Sequence, residues 1–221
     1  MNRCIGALLV GILATAIAQA HFPFIVPEPD GTTAKIVFSD TLKPDTDVNI
    51  EKLASTKLFI RNAAGKDAPL DWKKGVGFYE AKLPGNGPRT VFGITEYGVL
   101  QKGDAKPFRL VYYPKAIVGD APRKPLGDPL KVEIVPAEAG GKVRFQVLNQ
   151  GKPASGIEVT VLPPEGEKKT AKTDKEGFTP AYAGKGRYGV FARVTEAKAG
   201  EYAGKKYEET RYYATLVIDV K

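Results

Sequence analysis

The chain is poor in the side chains that carry out most protein chemistry. Its 221 residues contain one cysteine, one methionine and one histidine. A single cysteine excludes an internal disulfide, and thiolate or multi-histidine metal sites need more of these residues than the chain contains. Serines are present, but none of Ser39, Ser55 and Ser155 lies in a nucleophile elbow. We therefore expect no catalytic residues and no enzymatic activity. An enzyme that uses a pair of carboxylates distant in the sequence is the least favoured alternative.

The first twenty residues have the pattern of an export signal. Arg3 supplies a positive charge, an apolar run follows over residues 5–17, and Ala18-Gln19-Ala20 matches a signal-peptidase site. The run is shorter than the roughly 20 apolar residues that a membrane-spanning helix needs. The sequence predicts a signal peptide over residues 1–20, cleavage after Ala20, and a periplasmic or secreted protein without a membrane span. Cleavage also removes Met1 and Cys4, so no sulfur ligand would remain.

The rest of the sequence indicates an all-β fold. Short β-branched and aromatic runs alternate with clusters of Gly, Pro, Asn and Asp, which is typical of β-sandwiches rather than of alternating β-α units. We predict two β-sandwich domains in tandem, at residues 21–114 and 130–221, joined by a Pro/Gly-rich linker at residues 115–129. Residues 178–182 are predicted to form a strand, whereas residues 48–54 fit either a helical turn or a strand.

Three motifs in the second half share a known pattern. They are GKPASGIEV at residues 151–159, TDKEGF at 173–178 and GKGRYGV at 184–190. The first predicts a turn leading into a strand, the second a tight turn, and the third a bend before a strand whose tyrosine is buried. Together they resemble the prealbumin-like repeat of carboxypeptidase regulatory domains and bacterial B-type repeats. This implies a prealbumin-like or Ig-like C-terminal sandwich and says little about function.

The chain from residue 21 onward also resembles one family. An Ala-His start after the export signal, TEYGVL at residues 95–100, KPFRLVYYPKA at 106–116 and the prealbumin-like half are similar to the DUF4198, or NikM-like, family of exported bacterial proteins. Some members of that family are associated with nickel or cobalt uptake systems. The resemblance implies an accessory role in metal transport, with a metal-uptake permease as a partner. Members often carry further histidines, whereas this chain has only His21.

His21 is the principal candidate for a metal ligand. Cleavage after Ala20 would make it the first residue, so that its α-amine and its ring Nδ1 could chelate one ion. A pair of nitrogen ligands favours Ni²⁺ or Cu²⁺ over other common divalent ions. Two better-known sites are excluded, because a histidine brace needs a second imidazole and an amino-terminal square-planar site needs histidine where Pro23 stands.

Glu28 and Asp30 are the carboxylates nearest to His21 in the sequence, and we retain them as candidate ligands. Prolines on either side of Glu28 also fit a simpler interpretation, in which both acids lie in an extended, solvated segment. No other cofactor is predicted.

The charged and aromatic residues fit structural roles. The formal net charge is +8, but the lysines are scattered beside turns and form no stripe, so we expect no nucleic-acid partner. Tyr112-Tyr113 and Tyr212-Tyr213 each place one ring on either face of a strand. The outward rings, with Trp72, could form a sugar- or protein-binding patch, although strand-edge packing is the interpretation we favour.

Two functions follow from these observations. The first is an exported, non-enzymatic accessory or binding protein that handles nickel, cobalt or copper outside the cytoplasm and is linked to metal uptake. The alternative is a structural or adhesive module of the cell envelope that binds a polymer or protein partner through its sheet faces.

Overall fold

The computed structural model describes residues 21–221, and the predicted signal peptide at residues 1–20 lies outside them. The chain is all-β, and its several sheets are consistent with β-sandwich domains in tandem, which confirms the predicted fold class. Within residues 21–221, no helix is long and apolar enough to cross a membrane.

Residues 21–118 contain eight strands and one short turn of 3₁₀ helix at Ile50–Leu53. The strands are β1 (Phe22–Pro27), β2 (Thr33–Ser39), β3 (Lys57–Arg61), β4 (Asp67–Pro69), β5 (Trp72–Lys74), β6 (Phe78–Lys82), β7 (Arg89–Leu100) and β8 (Phe108–Val118). The 3₁₀ turn resolves the ambiguity over residues 48–54. It begins where the side chain of Asn49 accepts a hydrogen bond from the backbone N–H of Glu51 at 3.0 Å, which satisfies a free donor at the start of the turn.

The second half contains nine strands. They are β9 (Val132–Ala139), β10 (Lys142–Asn149), β11 (Lys152–Pro153), β12 (Glu158–Leu162), β13 (Lys169–Lys172), β14 (Gly186–Glu196), β15 (Gly200–Tyr202), β16 (Lys205–Tyr207) and β17 (Glu209–Val220). The tight turn predicted in TDKEGF is confirmed, because Asp174 Oδ1 accepts hydrogen bonds from the backbone of Glu176 and Phe178. The predicted tyrosine, Tyr188, is fully buried.

One expected strand is not formed as such. Residues 178–182 make only two isolated bridges to β10, Gln146 with Phe178 and Val143 with Tyr182. Pro180 lies between the two bridging residues and has no N–H to donate, so a continuous ladder cannot form there.

A single eight-stranded sheet joins the two halves. Its strand order is β13-β12-β14-β17-β8-β7-β3-β4, and we call it the central sheet. Strands β8 and β17 pair in parallel over ten residue pairs, from Phe108↔Glu209 to Ile117↔Ile218, whereas the other pairs in this sheet are antiparallel. A four-stranded sheet, β1-β2-β6-β5, and a three-stranded sheet, β11-β10-β9, complete the main layers.

Two hydrophobic cores lie on the two faces of the central sheet. Consecutive residues of β8 alternate between them, since side chains of a strand point to opposite faces. Leu110 and Tyr112 belong to the N-terminal core, which contains the buried residues of β1, β2 and β6. Val111 and Tyr113 belong to the C-terminal core, which contains the buried residues of β9 and β10. Both faces of β8 are therefore covered.

The predicted linker begins later than expected. Residues 115–118 continue β8, so the segment without strand structure starts at Gly119 rather than at residue 115. Pro114 lacks an N–H and suggested the end of a strand, but the central sheet accommodates it. Gly93 lies opposite, where an added Cβ would be only 3.2 Å from Pro114 Cγ, and paired residues flank the gap on both sides.

Candidate functional site

The candidate site is centred on His21, the residue just before β1. Its ring Nε2 lies 3.0 Å from Asp45 Oδ2, and one-fifth of its side chain is exposed. The contact follows from the pairing of Phe22 with Ser39, because that register brings the loop after β2 back to the start of β1. The other oxygen of Asp45 accepts the backbone N–H of Asp47 at 3.0 Å, which holds the carboxylate toward the ring.

The hydrogen bond determines which ring nitrogen is available. A carboxylate only accepts hydrogen bonds, so Nε2 of the neutral imidazole carries the proton and donates a hydrogen bond to Asp45. The lone pair is then on Nδ1. Metal-ligating histidines commonly donate their other ring N–H to a carboxylate in this way, which fixes the tautomer and the ring orientation. Nδ1 is also the nitrogen that a chelate with the α-amine of His21 requires.

An open pocket of about 500 Å³ adjoins His21. It lies at the end of the sandwich formed by the four-stranded sheet and the central sheet. We call it the aromatic pocket, because six rings besides the imidazole contribute to its wall. Its lining residues are His21, Phe22, Phe38, Asp47, Val48, Asn49, Lys52, Tyr97, Leu100, Lys102, Phe108, Leu110, Tyr112, Arg211 and Tyr213.

The rings of the pocket form a connected wall. Tyr112 is at its centre, 5.6 Å from Tyr97, 5.6 Å from Tyr213 and 6.1 Å from Phe38 between ring centroids. The imidazole of His21 continues the wall, with its centroid 6.0 Å from that of Phe38. These separations are in the range of favourable tilted and edge-to-face contacts, so the wall is a packed part of the N-terminal core.

The tyrosine hydroxyl groups of the wall are potential donors. Burial raises the pKa of Tyr97, and burial together with the nearby Tyr97 and Tyr213 hydroxyls raises the pKa of Tyr112 well above its ordinary value. Both phenols therefore stay protonated near neutral pH. The hydroxyl groups of Tyr97, Tyr112 and Tyr213 have no hydrogen-bond partner elsewhere in residues 21–221.

Three cationic side chains stand at the pocket. Lys52 and Lys102 are exposed and form no ion pair with any other part of the described chain. Arg211 is half-buried, with its guanidinium 3.7 Å from the ring centroid of Phe108 and its Nε 2.6 Å from Glu209 Oε1. The two lysines are thus free to meet an anion, whereas Arg211 is held in place.

The other predicted ligands lie elsewhere. Glu28 follows the opposite end of β1 and forms an ion pair with Lys35 at 2.7 Å. Asp30 accepts hydrogen bonds from Thr32 N at 2.9 Å and Thr32 Oγ1 at 2.8 Å, and the first of these lowers its pKa. A strand rises about 3.3 Å per residue, which puts roughly 20 Å between His21 and Glu28. The structure does not bring these two acids together with His21.

Sequence analysis missed Asp45 and the aromatic pocket. Asp45 is 24 residues from His21 in the chain, and no local pattern connects the two. Within residues 21–221, no three His, Cys, Asp or Glu side chains are grouped closely enough to hold a metal ion. The side chains at the site thus offer one imidazole, the Asp45 carboxylate behind it, and phenol groups. This is an incomplete metal site.

The predicted patch of outward-facing tyrosines and Trp72 does not form. Tyr112, Tyr113 and Tyr212 are all buried, because both faces of the central sheet are covered, and only Tyr213 is partly exposed. Trp72 stacks on Tyr79 at 4.4 Å instead. The favoured structural interpretation of these rings fits that packing.

No protein-family model matches the chain, and a search of curated proteins finds no match. The resemblance to the DUF4198 family stays a prediction.

Proposed function

We propose that this protein is an exported, non-enzymatic metal-binding protein that holds one Ni²⁺ or Cu²⁺ ion at His21. One observation carries the proposal. Asp45 accepts a hydrogen bond from the Nε2–H of His21, which leaves Nδ1, the nitrogen that a chelate needs, with its lone pair. The cargo is handled outside the cytoplasm, and the resemblance to nickel- and cobalt-associated proteins favours a metal-uptake permease as the partner that receives it.

The proposed chelate depends on the predicted cleavage after Ala20. A chain that begins at His21 has a free α-amine two bonds from the Cβ that carries the imidazole, so the amine and Nδ1 can bind one ion together. Asp45 stabilises the positive charge that the ion brings, because it lies on the far side of the ring. Nickel and copper bind such nitrogen pairs more tightly than manganese, iron or cobalt do.

Calorimetric titration of Ni²⁺ and Cu²⁺ into protein that begins at His21 tests this proposal. We expect one ion per chain. His21→Phe is the matched variant, since phenylalanine retains an aromatic ring and the free α-amine but has no Nδ1, and it should lose the uptake. Acetylation of the α-amine should also remove it, whereas Glu28→Gln and Asp30→Asn should bind as the unaltered protein does. Equal uptake by His21→Phe, or none by the unaltered protein, would contradict the proposal.

A further inference from the structure

We infer that the aromatic pocket receives a small polycarboxylate that supplies the remaining ligands of the metal ion held at His21. The inference rests on the proposed function and names the form in which the ion is bound. It follows from the incompleteness of the chelate, from the charge around the pocket and from the size of the pocket.

The chelate leaves most of the coordination sphere open. The α-amine and Nδ1 of His21 would supply two ligands, whereas Ni²⁺ and Cu²⁺ complexes with nitrogen and oxygen ligands take four or more. Asp45 is engaged by Nε2 of the same ring and by the backbone of Asp47. Within residues 21–221, no third His, Cys, Asp or Glu side chain is grouped with His21 and Asp45 closely enough to hold an ion. The further ligands must then come from outside the side chains of the pocket.

The charges around the pocket identify the class of ligand. Among the residues that line the pocket, Lys52, Lys102 and Arg211 are cationic and Asp47 is anionic. Arg211 is already paired with Glu209 and His21 with Asp45. A bound divalent ion adds two positive charges that no side chain of the pocket neutralises. A ligand with two or more carboxylates would compensate them, and Lys52 and Lys102 have no ion-pair partner in the described chain.

The size and the lining of the pocket fit such a ligand. About 500 Å³ is far more than one hydrated ion needs and lies in the range of small-molecule sites. The rings of Phe38 and Tyr112 can pack against a short carbon skeleton, and the hydroxyls of Tyr97, Tyr112 and Tyr213 can donate to carboxylate oxygens. The groups that would recognise the organic part and those that would bind the ion thus border one cavity.

Equilibrium dialysis with radiolabelled citrate as the probe tests the inference. Protein beginning at His21 is dialysed against Ni²⁺ alone, citrate alone, and both together, and retained nickel and citrate are measured. We expect citrate to be retained only with nickel, in equal amounts. Lys52→Ala combined with Lys102→Ala should weaken citrate retention roughly three- to tenfold while nickel binding without citrate is unchanged. Lys175→Ala with Lys185→Ala, which alters exposed lysines of the other half, is the matched control.

Each other outcome has a distinct meaning. If both are present and nickel is retained with no citrate, or if citrate removes nickel from the protein, the inference is overturned and the proposed function stands. Citrate retained equally without nickel overturns the inference, because the acid then does not act as a ligand of the ion. Unchanged citrate retention in the Lys52 and Lys102 variant overturns its placement in the pocket. Nickel retained in neither case overturns the proposed function, and the inference with it.

Discussion

His21 with Asp45 and Lys115 with Glu133 are both pairs of a basic side chain and a carboxylate, yet they differ in what they leave free. The Lys115–Glu133 pair lies in the C-terminal core, only 2% and 3% exposed, with Nζ 2.6 Å from Oε1. The carboxylate of Glu133 also accepts backbone N–H groups of Leu126 and Gly127. The His21–Asp45 pair lies at an open pocket and is about one-quarter exposed.

The difference separates a structural pair from a candidate binding site. Both oxygens of Glu133 are occupied, and burial lowers the pKa of Lys115 although Glu133 opposes that change. The buried pair fastens the segment after β8 to the central sheet and has no atom available for a ligand. His21 retains an unshared nitrogen beside a cavity. A basic side chain paired with a carboxylate can bind a ligand only if it retains an unshared lone pair that the ligand can reach. The ion pair itself does not decide this.

The largest expected effect is on stability, at the buried pair. Lys115→Ala should lower the free energy of unfolding by about 3–5 kcal/mol, because it leaves the Glu133 carboxylate buried without its cation. Lys115→Met with Glu133→Gln removes both charges at similar volume and should cost much less. Urea unfolding measures both variants. If Lys115→Ala lowers the free energy of unfolding by less than about 1 kcal/mol, the pair does not stabilise the fold as described.

A smaller effect is expected on metal affinity, at the partly exposed His21–Asp45 pair. Asp45→Ala should weaken Ni²⁺ or Cu²⁺ binding about 10- to 100-fold, because Nε2 loses the acceptor that fixes the tautomer of His21. Stability should change little, since Asp45 is partly exposed. Asp71→Ala, at another exposed acid, is the control. Calorimetry giving the same affinity for Asp45→Ala and the unaltered protein would refute a role for Asp45 behind the ring.

The smallest expected effect is on the pH dependence of stability, and two neighbouring tyrosines allow the two cores to be compared. Burial is the main cause of the raised pKa of both Tyr112, in the N-terminal core, and Tyr113, in the C-terminal core. Below the unfolded pKa of about 10, both states keep the phenol protonated and the stability is at its full value. Above that pH the unfolded phenol ionises first, so the free energy of unfolding falls. Unfolding should therefore become easier in alkali.

Urea unfolding at about pH 8 and about pH 11 measures this loss. Tyr112→Phe and Tyr113→Phe should each reduce the difference between the two pH values. If neither substitution does, the alkaline loss arises from other groups.

The strands were largely predictable from the sequence, whereas their arrangement was not. The apolar and aromatic run at residues 108–113 indicates a strand, but the parallel pairing of β8 with β17 joins residues about a hundred positions apart and leaves no local signal. Strand β1 contains Pro23 and Pro27, which cannot donate a backbone hydrogen bond. The structure accommodates them because β1 is an edge strand, where one side of the backbone needs no ladder.

The site was predictable only in part. His21 stands out because it is the one histidine, and that scarcity is visible in the sequence. Nearness in sequence favoured Glu28 and Asp30, but an extended strand carries them away from His21 and each is satisfied by a local partner. Asp45 becomes its neighbour through the register of β1 with β2, which sequence patterns do not specify.

The single histidine also makes the most direct test of the metal site simple. Electron paramagnetic resonance of the Cu²⁺-loaded protein, starting at His21, can be compared with and without isotopic labelling of the histidine nitrogens. Every imidazole signal must then come from His21. We predict that labelling changes the nitrogen hyperfine pattern of the bound copper, and that His21→Phe gives no such signal. A spectrum that labelling leaves unchanged would contradict the assignment of the metal to His21.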